Sequence, residues 1–212
     1  MFNSILYLPK LKEFEGAIPY MYLDTGSNVT VGVGNLLATA NDAKQLGFVR
    51  RADPAAKPPV TAGPATAPEI QTDFDNVNKQ TAGKLASYYK QFTKLDLPDS
   101  IITSLLNSRV IDFKAKLVAA FPDFDSYPNE ACAALFDMGF NLGVVGLTSK
   151  FPTLCKAVKD KDWATAAKEC KRSAPVNDDR NDWTKAQFEK AAADAAAAAA
   201  AAAAKAVPAG PK

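Results

Sequence analysis

Histidine is missing from all 212 residues. Its absence rules out Ser-His-Asp and Cys-His hydrolases and zinc centres built on histidine ligands. Charge of one sign is also scarce. The 25 basic and 23 acidic residues leave a net charge of only +2, too small an excess to support nucleic-acid binding. Long apolar runs are lacking too. The alanine stretch near the end is only weakly hydrophobic, and no segment reads as a transmembrane helix. The first residues, Met1 to Tyr7, have neither a basic stretch nor a long apolar core, so no Sec-type signal is expected there. Cysteine is sparse: Cys132, Cys155 and Cys170 show no C-x-x-C spacing. They read either as small buried apolar residues or, in an oxidising compartment, as a Cys155–Cys170 bridge with one thiol left over. No metal and no cofactor are expected. Chemistry carried by carboxylates alone remains open, and glycoside hydrolysis is its leading case.

With 48% hydrophobic and 23% charged residues, the chain has the composition of an ordinary globular protein. Pro9 to Glu15 reads as a short helix with Leu11 and Phe14 as its apolar pair, ended by Gly16. Tyr20 to Asp24 and Val29 to Val33 read as the arms of a hairpin turning at Gly26-Ser27-Asn28. Val29, Val31 and Val33 share one face. Thr30, Gly32 and Gly34 share the other, and strand glycines often mark close approach of a ligand or backbone. Residues 52–68, with Pro54, Pro58, Pro59, Pro64 and Pro68, read as a surface loop or insertion.

The remainder reads as helical. Gln80 to Leu95 carries an apolar side, and Pro98-Asp99-Ser100 opens a long helix through Leu117. A helix from near Pro128 to Asn141 is apolar almost all round and so belongs in the core. Thr148-Ser149 is expected to cap a helix bearing Phe151, Leu154 and Val158, and Asp162 to precede another with Trp163. Asp178-Asp179 starts a last helix through Phe188. Ala191 to Ala204, alanine apart from Asp194, extends as helix into a frayed end. The fold class expected is α+β, mainly α. The expected domain spans 1–190: a small hairpin lobe at about 10–98, a helical lobe at about 99–190 with the N-terminus, and a tail at 191–212.

Glu15, Asp24 nine residues later and Thr30 six beyond that are the candidate chemistry. A turn at 26–28 makes Asp24 and Thr30 cross-strand neighbours, with Glu15 at the helix end facing them. Glycoside cleavage needs an acid to protonate the leaving oxygen and a second carboxylate to activate water or stabilise the oxocarbenium ion. The same residues also fit a solvated helix end and a turn aspartate.

Glu15-Gly16, Tyr22-Leu23-Asp24 and Thr30-Val31-Gly32-Val33-Gly34-Asn35-Leu36-Leu37 resemble the phage-type lysozymes, glycoside hydrolase family 24. Lysozyme-like domains of bacterial antibacterial effectors look similar. Phe136 to Thr148 resembles the family's buried core helix and exit turn, and Asp162-Trp163-Ala164-Thr165-Ala166-Ala167 a later helix. The similarity runs from about residue 5 to 188 and is weak across 38–98. It implies a two-lobed lysozyme-like fold joined by the long helix, with the active cleft between the lobes. The implied activity is an N-acetylmuramidase cutting the β-1,4 bond between N-acetylmuramic acid and N-acetylglucosamine, by inversion.

In that resemblance Glu15 is the acid, Asp24 the second carboxylate and Thr30 the residue that positions water. Arg180 is the partner of Glu15, or else a surface arginine capping a helix. Asp137 falls near the acid, where some relatives carry glutamine. Leu36, Phe136, Lys150 and Glu169 fall on the sugar cleft, with Lys150 and Glu169 of unexpected type. Asn35 stands where relatives carry histidine. The partners implied are the peptidoglycan strand and an immunity or inhibitor protein, with no nucleic acid and no membrane, and the protein is expected to be a monomer. The implied place of action is the periplasm of a target or host bacterium, reached through phage lysis machinery or a secretion system. A lytic transglycosylase, or a wall-binding module without catalysis, are the alternatives.

Overall fold

Prolines, glycines and short polar side chains set most element boundaries. The computed structural model describes residues 7–206, so the expected fraying at 207–212 lies outside the described residues. The chain is mainly helical with two small antiparallel sheets, an α+β fold, mainly α. It divides into two compact units, residues 8–109 and Tyr7 with residues 110–206, here the N-terminal and C-terminal units.

In the N-terminal unit, helix α1 (Leu8–Glu15) buries Leu8 and Leu11 and stops at Gly16. Gly16 adopts φ +74°, a left-handed position that glycine reaches at no steric cost. Strands β1 (Ile18–Leu23), β2 (Val29–Gly32) and β3 (Asn35–Leu36) form the first sheet in that order. Its two-residue third strand was not expected. Both faces of β2 are covered, so the glycine face is not bare. A Cβ placed on Gly32, at φ +65°, would come within 3.3 Å of Ile102. The close approach inferred from the glycines is therefore made by an isoleucine of the long helix.

The proline-rich stretch is more ordered than a loop. Asp53 bridges to Val60, and β4 (Val49–Arg50) pairs with both β5 (Gly63–Pro64) and β6 (Leu95–Asp96) in a second sheet. Two helices on either side of this stretch go beyond the sequence expectation: α2 (Ala40–Lys44), capped by Thr39, before it and α3 (Ala67–Asn78) at its end. Thr66 and Glu69 form a capping box on α3, with a proline in its first turn. The expected helix over 80–95 shrinks to α4 (Ala86–Tyr89) and a single 3₁₀ turn. Helix α5 (Asp99–Ala120) starts at the expected Asp99. Lys12 on α1 forms an ion pair with Asp99 and a 3.2 Å hydrogen bond to Thr103, fixing α1 to the start of α5.

The C-terminal unit is helical. Helix α6 (Asn129–Leu142) is its core, with eight of its residues from Ala131 to Gly139 buried. Around it lie α7 (Val144–Lys150), α8 (Pro152–Lys159), α9 (Trp163–Glu169) and α10 (Asp178–Ala206). Thr148 does not cap α8: it lies inside α7, and its hydroxyl bonds back to the Val144 carbonyl at 3.1 Å. Asp162 does cap α9, accepting from the Thr165 N–H at 3.0 Å. The last helix and the alanine stretch are one continuous element, whose burial ends at Ala191 and whose residues 193–205 are all exposed. The three cysteines are separate buried thiols, so the Cys155–Cys170 bridge is not formed. Burial pushes the Cys132 thiol up to about 12 and the Cys170 thiol up to about 11, which makes both unreactive. Among the described residues no single helix is long and apolar enough to cross a membrane.

Candidate active site

Glu15 is the last residue of α1 and is exposed, and the chain turns at Gly16 directly into β1. The hairpin that follows is built around Asp24. The Asp24 N–H donates to the Asn28 carbonyl at 3.0 Å. Its Oδ1 accepts from the Gly26 N–H at 2.8 Å and from the Asn28 N–H at 2.9 Å. This is an Asx-type turn, in which a carboxylate stands in for a backbone carbonyl and holds the loop. Oδ2 has only a long contact, 3.4 Å to Asn28 Nδ2. One oxygen of Asp24 thus holds the turn and the other is almost unengaged by the protein.

The strand register differs from the expected one. Tyr22 pairs with Thr30 and Leu23 with Val29, so the residue across from Thr30 is Tyr22 rather than Asp24. The turn proper is Thr25 to Ser27, not Gly26 to Asn28, and Asp24 sits opposite Asn28. The displacement along the partner strand is two residues. Side chains alternate with a period of two, so Asp24 and Thr30 remain on one face as diagonal neighbours. Thr30 is only 2% exposed, and its hydroxyl donates to the Asn28 carbonyl at 3.1 Å. Asp24 and Thr30 therefore both anchor Asn28, one from each arm of the hairpin.

Two further residues join this group. Burial pushes the Tyr22 phenol above its ordinary pKa, and the nearby Asp24 carboxylate adds to the rise. The Gly34 N–H and the Arg109 guanidinium act in the opposite direction. Arg109 also donates to the Val33 carbonyl, tying α5 to the end of the hairpin. Tyr22 enters the sequence reading only as part of the Tyr22-Leu23-Asp24 motif, and Arg109 does not enter it. Arg109 had a legible signal: it falls three residues after the buried Leu106 on the inner stripe of α5, where an apolar residue is the usual choice.

Asp137 and Arg180 belong to the C-terminal unit, and there they meet. Asp137 is fully buried. Its Oδ1 accepts from the Tyr7 hydroxyl at 2.8 Å and from Arg180 through Nε at 2.9 Å and Nη2 at 2.8 Å. Its Oδ2 accepts from Arg172 Nη2 at 2.8 Å and from the Thr184 hydroxyl at 2.9 Å. Two guanidinium groups thus share one carboxylate. Arg180 is only 7% exposed, which excludes the alternative of a surface arginine capping a helix. Arg172 was missed. It is 2% exposed and locked by Asn181, whose side chain bonds both its backbone and its Nε. Its Nη1 has no hydrogen-bond partner, a loss of about 1–3 kcal/mol for a buried donor.

The four cleft candidates are placed differently from one another. Leu36 on β3 is 54% exposed, and Lys150 and Glu169 are exposed at the ends of α7 and α9. Phe136 is fully buried, packed edge-on against Tyr7 and Phe113 and stacked on Phe140. With no accessible face it is a core residue, which corrects its expected role of lining a sugar cleft. Lys150 borders a groove of about 570 Å³ that also includes Arg172, whereas Glu169 is not among that groove's walls.

No protein-family model matches this chain, and no curated protein matches it.

Proposed function

We propose that this chain is a peptidoglycan hydrolase with a lysozyme-like fold, an N-acetylmuramidase acting through Glu15, Asp24 and Thr30. The observation that carries the reading is the hairpin. An exposed glutamate ends a helix just before it, a carboxylate with one nearly unengaged oxygen is fixed at its turn, and a hydroxyl lies on the same face. This is the equipment for acid-assisted cleavage with a held water.

In the reaction, Glu15 delivers its proton to the glycosidic oxygen as the bond from that oxygen to the anomeric carbon breaks. A water attacks the same carbon from the opposite face and forms the new bond. Asp24 Oδ2 takes the water's proton. The Thr30 hydroxyl, its own proton committed to the Asn28 carbonyl, accepts a hydrogen bond from the water's other O–H, which stays on the oxygen and becomes the product hydroxyl. Asn28 links the two water-holding groups, so the turn sets their spacing. Direct attack by water inverts the anomeric centre, a geometry that needs the two carboxyl groups about 6.5–9.5 Å apart.

The test is the fresh product from purified peptidoglycan, followed by NMR and mass spectrometry. An initial α-anomer at a hydrolysed reducing end is the expected result. An initial β-anomer would mean that a carboxylate attacks the sugar itself. An anhydro product, lighter by one water, would mean a lytic transglycosylase, and no cleavage at all would leave a wall-binding module.

A further inference from the structure

We propose that the segment 79–94 of the N-terminal unit is a docking surface for a bilayer containing anionic lipid, with Lys84 and Lys90 at the headgroups and Leu85 inserted beneath them. This runs against the expectation that the protein has no membrane partner. It is independent of the hydrolase reading, because none of these residues belongs to the hairpin site and the test needs no wall polymer.

Charge is nearly balanced over the chain, with 25 basic and 23 acidic residues, yet residues 79–94 hold four lysines and no acid. Lys79, Lys84, Lys90 and Lys94 are all exposed, and among the described residues none has an ion pair or a side-chain hydrogen bond. Of the adjacent carboxylates, Asp96 is paired with Arg51 at 2.6 Å, and Asp73 is buried and bonded to the Lys94 and Leu95 N–H groups. The segment therefore presents uncompensated positive charge.

The apolar part is a separate observation. Leu85 is 82% exposed, more than any other large apolar side chain among the described residues. It stands directly before α4, and Tyr88, one turn on, is also at the surface. Lys84 lies over the Tyr88 ring at 6.0 Å, Tyr88 meets Phe92 at 5.4 Å between ring centres, and Lys90 lies over the Tyr20 ring at 5.8 Å. The loop that carries Lys84 and Leu85 is held in place from below: Tyr89 is fully buried, and its hydroxyl donates to the Thr81 carbonyl at 2.9 Å.

These two parts together select the partner. A soluble anion would use the lysines and leave Leu85 in water. An acidic protein would have to bring a cavity shaped for Leu85. A bilayer interface takes up a projecting apolar side chain without a matching cavity and places anionic headgroups at the level of the lysines. Tyrosine and lysine, each with an apolar body and a polar tip, suit the rim of such an insertion.

The test is co-sedimentation of the whole chain with vesicles of phosphatidylcholine alone and of phosphatidylcholine mixed with phosphatidylglycerol, at low and at physiological salt. Binding is expected on the phosphatidylglycerol vesicles only, and it should weaken as salt screens the lysines. Lys84→Gln combined with Lys90→Gln should weaken it by about twenty- to thirtyfold, at about fivefold per lysine. Leu85→Ser should weaken it by about fivefold. All three residues are exposed, so circular dichroism should show the fold unchanged. No binding to the anionic vesicles, or equal binding to the neutral ones, would overturn the proposal. Binding unaffected by the lysine pair would overturn the location. Binding that Leu85→Ser leaves intact, or that soluble poly-glutamate displaces at equal charge, would overturn the bilayer in favour of an acidic macromolecule.

Discussion

Replacing Asp137 by asparagine should cost more stability than any other single-atom exchange in the C-terminal unit. Both oxygens of Asp137 face a guanidinium: Arg180 at 2.8 Å on Oδ1 and Arg172 at 2.8 Å on Oδ2. An asparagine side chain must turn its NH₂ toward one of them, whichever way it flips. That contact sets donor against donor, while the cation there loses its counter-charge in a fully buried site. Removing one partner from a buried ion pair costs about 3–5 kcal/mol. In a chain of this size, 1 kcal/mol shifts the melting temperature by about 2–4 °C, so Asp137→Asn should melt about 6–20 °C below the parent. Tyr7→Phe removes only a single hydrogen bond to Oδ1 and should show a smaller drop in the same assay. Thermal unfolding followed by circular dichroism at neutral pH measures both. An Asp137→Asn protein melting within about 2 °C of the parent would refute the argument that this carboxylate holds two buried arginines together.

Three other predictions concern the tail, a buried aspartate and the hairpin hydroxyl. Truncation after Ala192 removes the exposed residues 193–205 of α10, so the melting temperature should stay within about 2 °C while helical ellipticity falls; a loss of several degrees would show that the tail packs on the body. Burial pushes the Asp73 carboxyl above its ordinary 3.8, against the downward pull of the Lys94 and Leu95 N–H groups and Arg51. The folded state then keeps this proton to higher pH than the unfolded chain, so the group's contribution is complete below about 3.8 and is lost as the pH rises through the raised folded value. Asp73→Asn should flatten that part of the stability–pH curve, and an unchanged slope would contradict the assignment. Thr30→Glu places a carboxylate where the attacking water is held and should trap a covalent glycosyl adduct detectable by mass; hydrolysis at the parent's rate would remove Thr30 from the reaction.

Much of this architecture was legible wherever a local signal acted alone. Gly16 ends α1, Pro98-Asp99 opens α5, Asp162 caps α9, and the apolar circumference of α6 marks the core. The failures came where two signals competed. Thr66 and Glu69 spell a capping box for α3, but the surrounding prolines read as loop. Thr148 and Ser149 read as a cap because they precede the apolar positions Phe151, Leu154 and Val158, yet their hydroxyls bond back within α7. At the site, residue types and face were readable, while register was not. The side chain of Asp24 closes the turn, and that choice moved the pairing by two residues without changing the face. The assembly around Asp137 was hidden for another reason: Tyr7, Arg172, Arg180 and Thr184 come from distant stretches of chain, and no local pattern marks an arginine for burial.

The most direct test of the central claim is Glu15→Gln, assayed on purified peptidoglycan with the fold checked by circular dichroism. Glutamine keeps the shape of the side chain at the end of α1 and removes the proton donor. Turnover should fall by about two to four orders of magnitude with the melting curve unchanged. Lytic activity close to that of the parent would contradict the assignment of Glu15 as the acid, and with it the reading of the hairpin as an active site.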